Sequence, residues 1–241
     1  ITTDVLTAPA ITLATNGALM ITNGGASEIT GAIGGTGVSL TKAGAGTLTL
    51  SGANTYTGDT TISAGTLALT GNGLLSSTGK VTANGTLDIG GLATGASIKT
   101  LAGSGYVTLG SNTLTLTAAN DTFSGAISGA GGLTLSAGTL TLSGANTYDG
   151  VTAVDAGTVI VTNNSGLGST TGGTTVASGA VLDLNGVTVG AESVTLAGGT
   201  LRDVTSSLSG TITLTANSTL DTSAGDTLTL SGVIQESGGS F

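Results

Sequence analysis

Short runs in which aliphatic residues alternate with threonine recur along the whole chain. Clear examples are TLTL at 47–50, TLAL at 66–69, TLDI at 86–89 and YVTL at 106–109. Alternation with a period of two, bounded by Gly and Asn, is typical of a β-strand with one buried face. No stretch has the 3.6-residue apolar period of a helix, and Gly or Thr stands almost everywhere that a helix interior would lie. The pattern predicts an all-β protein.

The residue that opens each run returns at nearly constant spacing. The openers are Gly46, Gly65, Gly85 and Gly105 in the first half, and Gly138, Gly157, Gly179, Gly199 and Ser218 in the second. A strand–corner–strand unit that returns every ~20 residues is typical of a solenoid. We therefore predict a right-handed parallel β-helix with roughly 20 residues per rung and about 11 or 12 rungs stacked ~4.8 Å apart. Steps that vary from 19 to 22 residues disfavour the strict 18-residue turn of a left-handed helix.

A longer repeat is superimposed on the rungs. The passage GTLTLSGANTYTGDTTISAGTLAL at 46–69 returns as GTLTLSGANTYDGVTAVDAGTVIV at 138–161, 92 residues later, with 16 of 24 positions identical. The full repeats lie near 29–90 and 123–186. We predict one continuous β-helix segment over residues 1–241. Because the motif that precedes both copies recurs as TLSGVIQESGG at 229–239, we also expect the chain to be a piece of a longer array.

Composition excludes several classes of function. The chain contains 44 Gly, no Cys, His or Trp, and 13 acidic against 4 basic residues, for a net charge of −9. Four scattered cations cannot neutralise a nucleic-acid backbone, so no nucleic-acid partner is expected. Without His or Cys there is no Ser–His–Asp or Cys–His nucleophile and no imidazole or thiolate metal site. No apolar run approaches the roughly 18–20 residues of a spanning helix, so we expect no membrane insertion of this segment.

The repeated passage resembles the passenger-associated repeat of autotransporters, the type V secretion proteins of Gram-negative bacteria. Residues 44–67 match that pattern closely, and residues 138–159 match it with Asp149 in place of a Thr. SGLGSTTGGTTVASGAVLDLNG at 165–186 resembles the segment that often follows. The resemblance implies a right-handed β-helix passenger that is exported through the outer membrane and displayed on, or released from, the cell surface.

Alignment of the rungs brings three charged residues together. Leu182, Leu201 and Leu220 occupy equivalent positions, so Asp183, Arg202 and Asp221 should stack in successive rungs ~4.8 Å apart. One interpretation is a carboxylate pair that hydrolyses polysaccharides. The interpretation we favour is a surface ion-pair ladder, because no Trp or Tyr platform lies nearby to stack a sugar ring.

The repeated SGANTY motif also has two interpretations. Asn54 and Asn146 could contact a ligand beside Tyr56 and Tyr148. We favour a structural role, in which Asn satisfies backbone groups at a corner and Tyr covers the end of the apolar column. Rows of outward Thr suggest ice binding as well, but the outward positions mix Thr, Ser, Asp and Ala, which disfavours it.

The sequence thus predicts a non-enzymatic structural or adhesive passenger segment, acting as a stalk, an adhesin or a self-associating element. We expect it outside the cell or on the bacterial surface, with a second copy or a host or matrix surface as its partner. No catalytic, cofactor-binding or metal-binding residue is predicted. The alternative is an exported polysaccharide-active β-helix enzyme whose catalytic part lies outside this segment.

Overall fold

The structure is a computed structural model that describes residues 10–237, and this part of the chain forms a parallel β-solenoid. It contains 30 short strands and no helix. Every pairing between these strands is parallel, and the coil makes about eleven turns of roughly 20 residues each. The predicted all-β parallel β-helix is confirmed.

Six hydrogen-bonded sheets group into three long faces. Face 1 contains β2 (Ala18–Thr22), β5 (Ser39–Ala43), β7 (Thr60–Ile62), β9 (Lys80–Ala83), β12 (Thr100–Ala102), β15 (Ala119–Phe123), β18 (Gly138–Leu142), β20 (Thr158–Val161), β22 (Val181–Asn185), β25 (Thr200–Val204) and β28 (Thr219–Thr222). Face 2 contains β3 (Ala26–Ile29), β6 (Thr47–Leu50), β8 (Thr66–Gly71), β10 (Thr86–Leu92), β13 (Tyr106–Thr108), β16 (Ala126–Ser128), β23 (Thr188–Val189), β26 (Ser206–Leu208) and β29 (Leu228–Leu230). Face 3 contains β1 (Ala10–Thr12), β4 (Ala32–Gly34), β11 (Ala96–Ile98), β14 (Leu114–Leu116), β17 (Leu133–Leu135), β19 (Thr152–Val154), β21 (Thr174–Ala177), β24 (Val194–Ala197), β27 (Ile212–Ala216) and β30 (Ile234–Glu236).

The core is a narrow column of aliphatic side chains that stack on their equivalents in the next turn. On face 1 one such row is Leu140, Val159, Leu182, Leu201 and Leu220, joined by strand register. The first four are at most 1 % exposed, whereas Leu220 in the last described turn is 43 % exposed. Leu and Val fill this row, and the predicted equivalence of Leu182, Leu201 and Leu220 is confirmed.

The two near-identical passages occupy different faces of the solenoid. TLTL at 47–50 is strand β6 of face 2, whereas GTLTL at 138–142 is strand β18 of face 1. The SGANTY motif therefore interrupts face 3 in the first copy and face 2 in the second. The second copy is rotated by one face because 92 residues are not a whole number of ~20-residue turns.

One basic residue lies inside the solenoid. Lys42 is 0 % exposed and sits between Ile21 and Ile62 in the register of face 1. Its Nζ donates hydrogen bonds to the carbonyl oxygens of Ala43, Gly44 and Ala64 at 2.9, 2.8 and 3.2 Å. Burial lowers the pKa of Lys42. Its three ammonium hydrogens can thus serve three carbonyl oxygens at a corner, of which that of Ala43 also accepts from the amide of Asn23 at 3.2 Å.

Corners of successive turns stack so closely that some positions have room only for glycine. Substitution of Gly144 tests this explanation. A Cβ on Gly144 would overlap the carbonyl oxygen of Gly125 in the turn below. We expect Gly144→Ala to lower the free energy of unfolding by about 1–3 kcal/mol in urea titrations. The matched control is Gly190→Ala, because a Cβ there meets nothing within 4 Å. Equal effects of the two substitutions would contradict the stacking argument.

Candidate functional site

The charged residues singled out in the sequence stack on the outer side of face 1. Strand register pairs Asp183 with Arg202 and Arg202 with Asp221, as predicted. They are the last three positions of an eleven-residue row: Met20, Thr41, Thr61, Thr82, Ala102, Thr122, Thr141, Ile160, Asp183, Arg202 and Asp221. The row is uncharged for eight turns and charged for three.

Arg202 is bonded to one of its two acidic neighbours. Its Nη2 and Nε lie 2.5 and 3.1 Å from Oδ2 of Asp183. The hydrogen bond to Asp183 raises the pKa of Arg202, and the negative charge of Asp221 adds to the effect. The Arg202 side chain is 40 % exposed, so the pair contributes less than about 1 kcal/mol to stability. Strand register places Arg202 between the two acids, and the ion pair joins it to Asp183.

A neighbouring acid was missed by the sequence interpretation. Asp203 is 0 % exposed and occupies an inward position, in register with Leu184 below and Thr222 above. Within residues 10–237, neither carboxylate oxygen has a hydrogen-bond partner. The signal was present in the sequence, because Asp203 is two residues from the inward Leu201 and period-two alternation therefore places it in the core.

A line of buried polar groups runs along the inside of the solenoid near residue 148. The Tyr148 hydroxyl lies 2.5 Å from Oγ1 of Thr152, which is the strand partner of Thr174. Thr174 Oγ1 in turn donates to Oε1 of Glu192 at 2.8 Å. Glu192 is only 2 % exposed, and burial raises its pKa. Burial likewise raises the pKa of the Tyr148 hydroxyl, so this tyrosine stays neutral.

The SGANTY asparagines are clamps that join three successive turns. Asn54 Oδ1 accepts from the amide of Ile33 at 2.9 Å, and its Nδ2 donates to the carbonyl of Leu74 at 2.8 Å. Asn146 repeats the pattern with the amide of Ile127 and the carbonyl of Gly166, at 2.9 and 2.6 Å. Each side chain replaces backbone hydrogen bonds where the sheet is interrupted. These contacts support the structural role that the sequence favoured.

The tyrosines of the motif lie within the column and not at its end, where the sequence interpretation placed them. Tyr56 and Tyr148 are 2 % and 0 % exposed, and the hydroxyl of Tyr56 bonds Thr60 Oγ1 at 2.6 Å. Burial raises the pKa of Tyr56 to about 12. Neither ring is available as a platform for a ligand.

A second ion pair lies further along face 1. Lys80 Nζ is 2.6 Å from Asp121 Oδ1, two turns away, and the Thr100 hydroxyl between them donates to Asp121 Oδ2 at 3.0 Å. Within the described chain, no three His, Cys, Asp or Glu side chains come together as a possible metal site. Residues 10–237 also contain no helix that is long and apolar enough to cross a bilayer.

Comparison with known proteins agrees with the repeat found in the sequence. The family model described as the passenger-associated-transport-repeat matches residues 40–69 and 135–161. These ranges contain the two copies of GTLTLSGANTY, so both repeats are recognised separately. Searches of curated proteins and of solved structures gave no match.

Substitution of Asp203 tests whether a buried carboxylate lowers the stability of the column. We expect Asp203→Leu to raise the free energy of unfolding by about 1–3 kcal/mol, because the substitution removes a buried polar group without partners and restores the residue type at Leu184. Urea unfolding measures the change. Asp221→Leu, an exposed position on the same face, is the control and should change stability little. A loss of stability in Asp203→Leu would show that the carboxylate has a partner that stabilises the fold.

Glu192 gives the fold a pH dependence of defined sign. Its folded pKa is raised above the ordinary value of 4.5, so its protonated form is favoured in the fold. The contribution of this group to the free energy of unfolding is fully present below the ordinary pKa. It is lost as the pH rises through the pKa of Glu192 in the folded protein. We expect the stability of Glu192→Gln relative to the unsubstituted protein to increase over that interval, measured by urea unfolding from pH 4 to 8. A pH-independent difference for Glu192→Gln would contradict the assignment.

Proposed function

We propose that this chain, whose repeats and parallel β-helix match those of an autotransporter passenger, is a non-enzymatic scaffold segment that associates side by side with further copies of itself. The passenger repeat implies an exported protein, and we place this association outside the cell. Face 3 is the surface that meets the second copy.

The observation that supports the proposal is a row without charge on face 3. Strand register joins eight outward positions: Ser97, Thr115, Thr134, Ala153, Thr175, Thr195, Thr213 and Gln235. From β11 to β27 the remaining outward positions of these strands are Ala177, Ala197 and Thr215. Seven consecutive strands therefore present only small neutral side chains, and the charged Lys99 and Asp155 directly follow β11 and β19 at the edge of the face.

The other two faces carry charges on their outer sides. Face 1 has Lys80 and the Asp183–Arg202–Asp221 row, while Asp121, the partner of Lys80, is in register with the inward Leu140. Face 2 has Glu28 and Asp88 at outward positions of β3 and β10. The net charge of −9 makes copies repel one another. Face 3 is therefore the side on which two copies can approach with the least electrostatic cost.

The geometry of the row suits a contact between copies. Threonine hydroxyls both donate and accept hydrogen bonds, and stacked turns repeat them every ~4.8 Å. Two such rows have the same period and stay in register along their length. Each contact is weak, so we expect a short segment to associate weakly and a longer array of turns to associate strongly.

Paired charge substitutions test which face is used. Thr134→Glu with Thr175→Glu places two charges on face 3 on either side of Ala153. The matched control, Thr82→Glu with Thr122→Glu, places them on face 1 on either side of Ala102. Both variants change the net charge equally. In sedimentation velocity over a concentration series, we expect the face 3 variant to lose association and the face 1 variant to retain it.

Salt provides a second measurement of the same contact. Because the copies repel through net charge and meet through neutral groups, association should strengthen as salt screens the repulsion. A protein that stays monomeric at high salt and at the highest concentrations would overturn the proposal. So would equal loss of association in both variants, or association that neither variant changes, which is the result expected of end-to-end stacking.

A further inference from the structure

A groove opens on face 3 where the first SGANTY motif interrupts the sheet. Between β4 and β11 three successive turns contribute residues 54–57, 74–78 and 94–97, and together they enclose about 490 Å³. This volume lies in the range of small-molecule sites. The groove therefore has the size to take a short ligand.

The floor of the groove is fixed by hydrogen bonds within the protein. Asn54 bonds the turns on either side of it. The Thr57 hydroxyl accepts from the amide of Gly37 at 2.7 Å, and the Thr78 hydroxyl donates to the carbonyl of Thr57 at 3.0 Å. Ser76 Oγ accepts from the amide of Gly79 at 3.1 Å. These polar groups are already satisfied, so they shape the groove and leave recognition to its rim.

The rim has exposed hydroxyl groups that form no hydrogen bond with any group in residues 10–237. These belong to Thr55, Ser77, Thr94 and Ser97, all of which are exposed and line the groove. No charged side chain is among the lining residues. The groove therefore offers several neutral donors and acceptors, spread over three turns, to whatever enters it.

The second copy of the motif shows which feature of the groove is not required by the fold. Asn54 and Asn146 make the same clamp, to the carbonyls of Leu74 and Gly166. The residues that follow, Leu75 and Leu167, are both buried, at 6 % and 3 % exposed. Leu74, however, is 43 % exposed where the second copy has a glycine. The Leu74 side chain therefore lies at the groove although the asparagine hydrogen bonds form without an aliphatic side chain at the equivalent position.

We infer that this groove binds a short neutral saccharide. A sugar presents hydroxyl groups that match the free hydroxyls of the rim, and its C–H face matches the exposed Leu74. An acidic sugar would find no basic side chain among the residues that line the groove and would be repelled by the net charge of −9. No aromatic ring is available to stack on the sugar, because Tyr56 is buried, so binding is weak.

Nuclear magnetic resonance of the 15N-labelled chain tests the site directly. The probes are maltotriose and N,N′,N″-triacetylchitotriose, with trigalacturonate as the acidic counterpart. We expect at least one neutral probe to shift the amide signals of Thr55, Ser77, Thr94 and Ser97 with a dissociation constant of about 1–10 mM. Trigalacturonate should bind at least about fivefold more weakly.

Substitutions separate the groove from the rest of face 3. Leu74→Gly copies the residue of the second repeat and should weaken the neutral probe about fivefold, and Thr94→Val should also weaken it. Thr175→Val, an exposed threonine on the same face outside the groove, should leave binding unchanged. Unshifted amides elsewhere in the spectrum confirm that each variant is folded.

Several results would overturn the inference. One is that neither neutral probe shifts the amide signals of the rim at concentrations up to about 20 mM. Another is that trigalacturonate binds as tightly as the neutral probes. A third is that Leu74→Gly and Thr175→Val weaken the binding of the neutral probe equally. A Ser/Thr-rich peptide that shifts the rim when neither sugar does would also overturn it. Self-association through Thr134 and Thr175 is measured separately, so either proposal can fail while the other stands.

Discussion

Parallel hydrogen bonding between successive turns is the constraint on which the rest of this structure depends. Each turn must return its strands to the same three faces, ~4.8 Å above the previous turn. Every residue is then stacked on its counterpart in the next turn, so an inward position must fit a neighbour of similar size above and below. This explains why Leu, Ile and Val dominate the column and why glycine is needed where corners come close, as at Gly144 over Gly125.

The same constraint decides how polar groups can be placed inside. Where a strand is interrupted, backbone amides and carbonyls lose their partners and a side chain must replace them. Asn54 and Asn146 do this across three turns, and the ammonium of Lys42 donates to three carbonyls at a corner. Asp203 differs from these residues because its carboxylate replaces nothing and bonds nothing. Most buried polar side chains named here therefore maintain the coil, and their presence gives no reason to infer catalysis.

The outer surface carries the features that distinguish one part of the solenoid from another. Because the turns are stacked, equivalent outward residues of successive turns form a row. A face can therefore be neutral over its whole length, or its charge can change along the row. The central row of face 3 is neutral from Ser97 to Thr213, whereas face 1 ends in the charged row Asp183–Arg202–Asp221. Outward Thr, Ser and Ala occur on all three faces, and the central row of face 3 contains no Asp. The groove beside Leu74 is a local break in this regularity, at the point where the first motif interrupts face 3.

The sequence by itself determined the class of fold, the length of a turn and the stacking of Asp183, Arg202 and Asp221, because alternation and spacing are local properties that survive in one dimension. The inward position of Asp203 also follows from the sequence, because period-two alternation from Leu201 places it in the core. Only the tertiary structure decided which face each copy of SGANTY occupies, that Tyr56 and Tyr148 lie within the column, and that Leu74 borders an open groove. The physical reason is that turns differ by a few residues in length, so the rotation of one repeat against another, and the gaps between turns, are set by the three-dimensional closure of every coil.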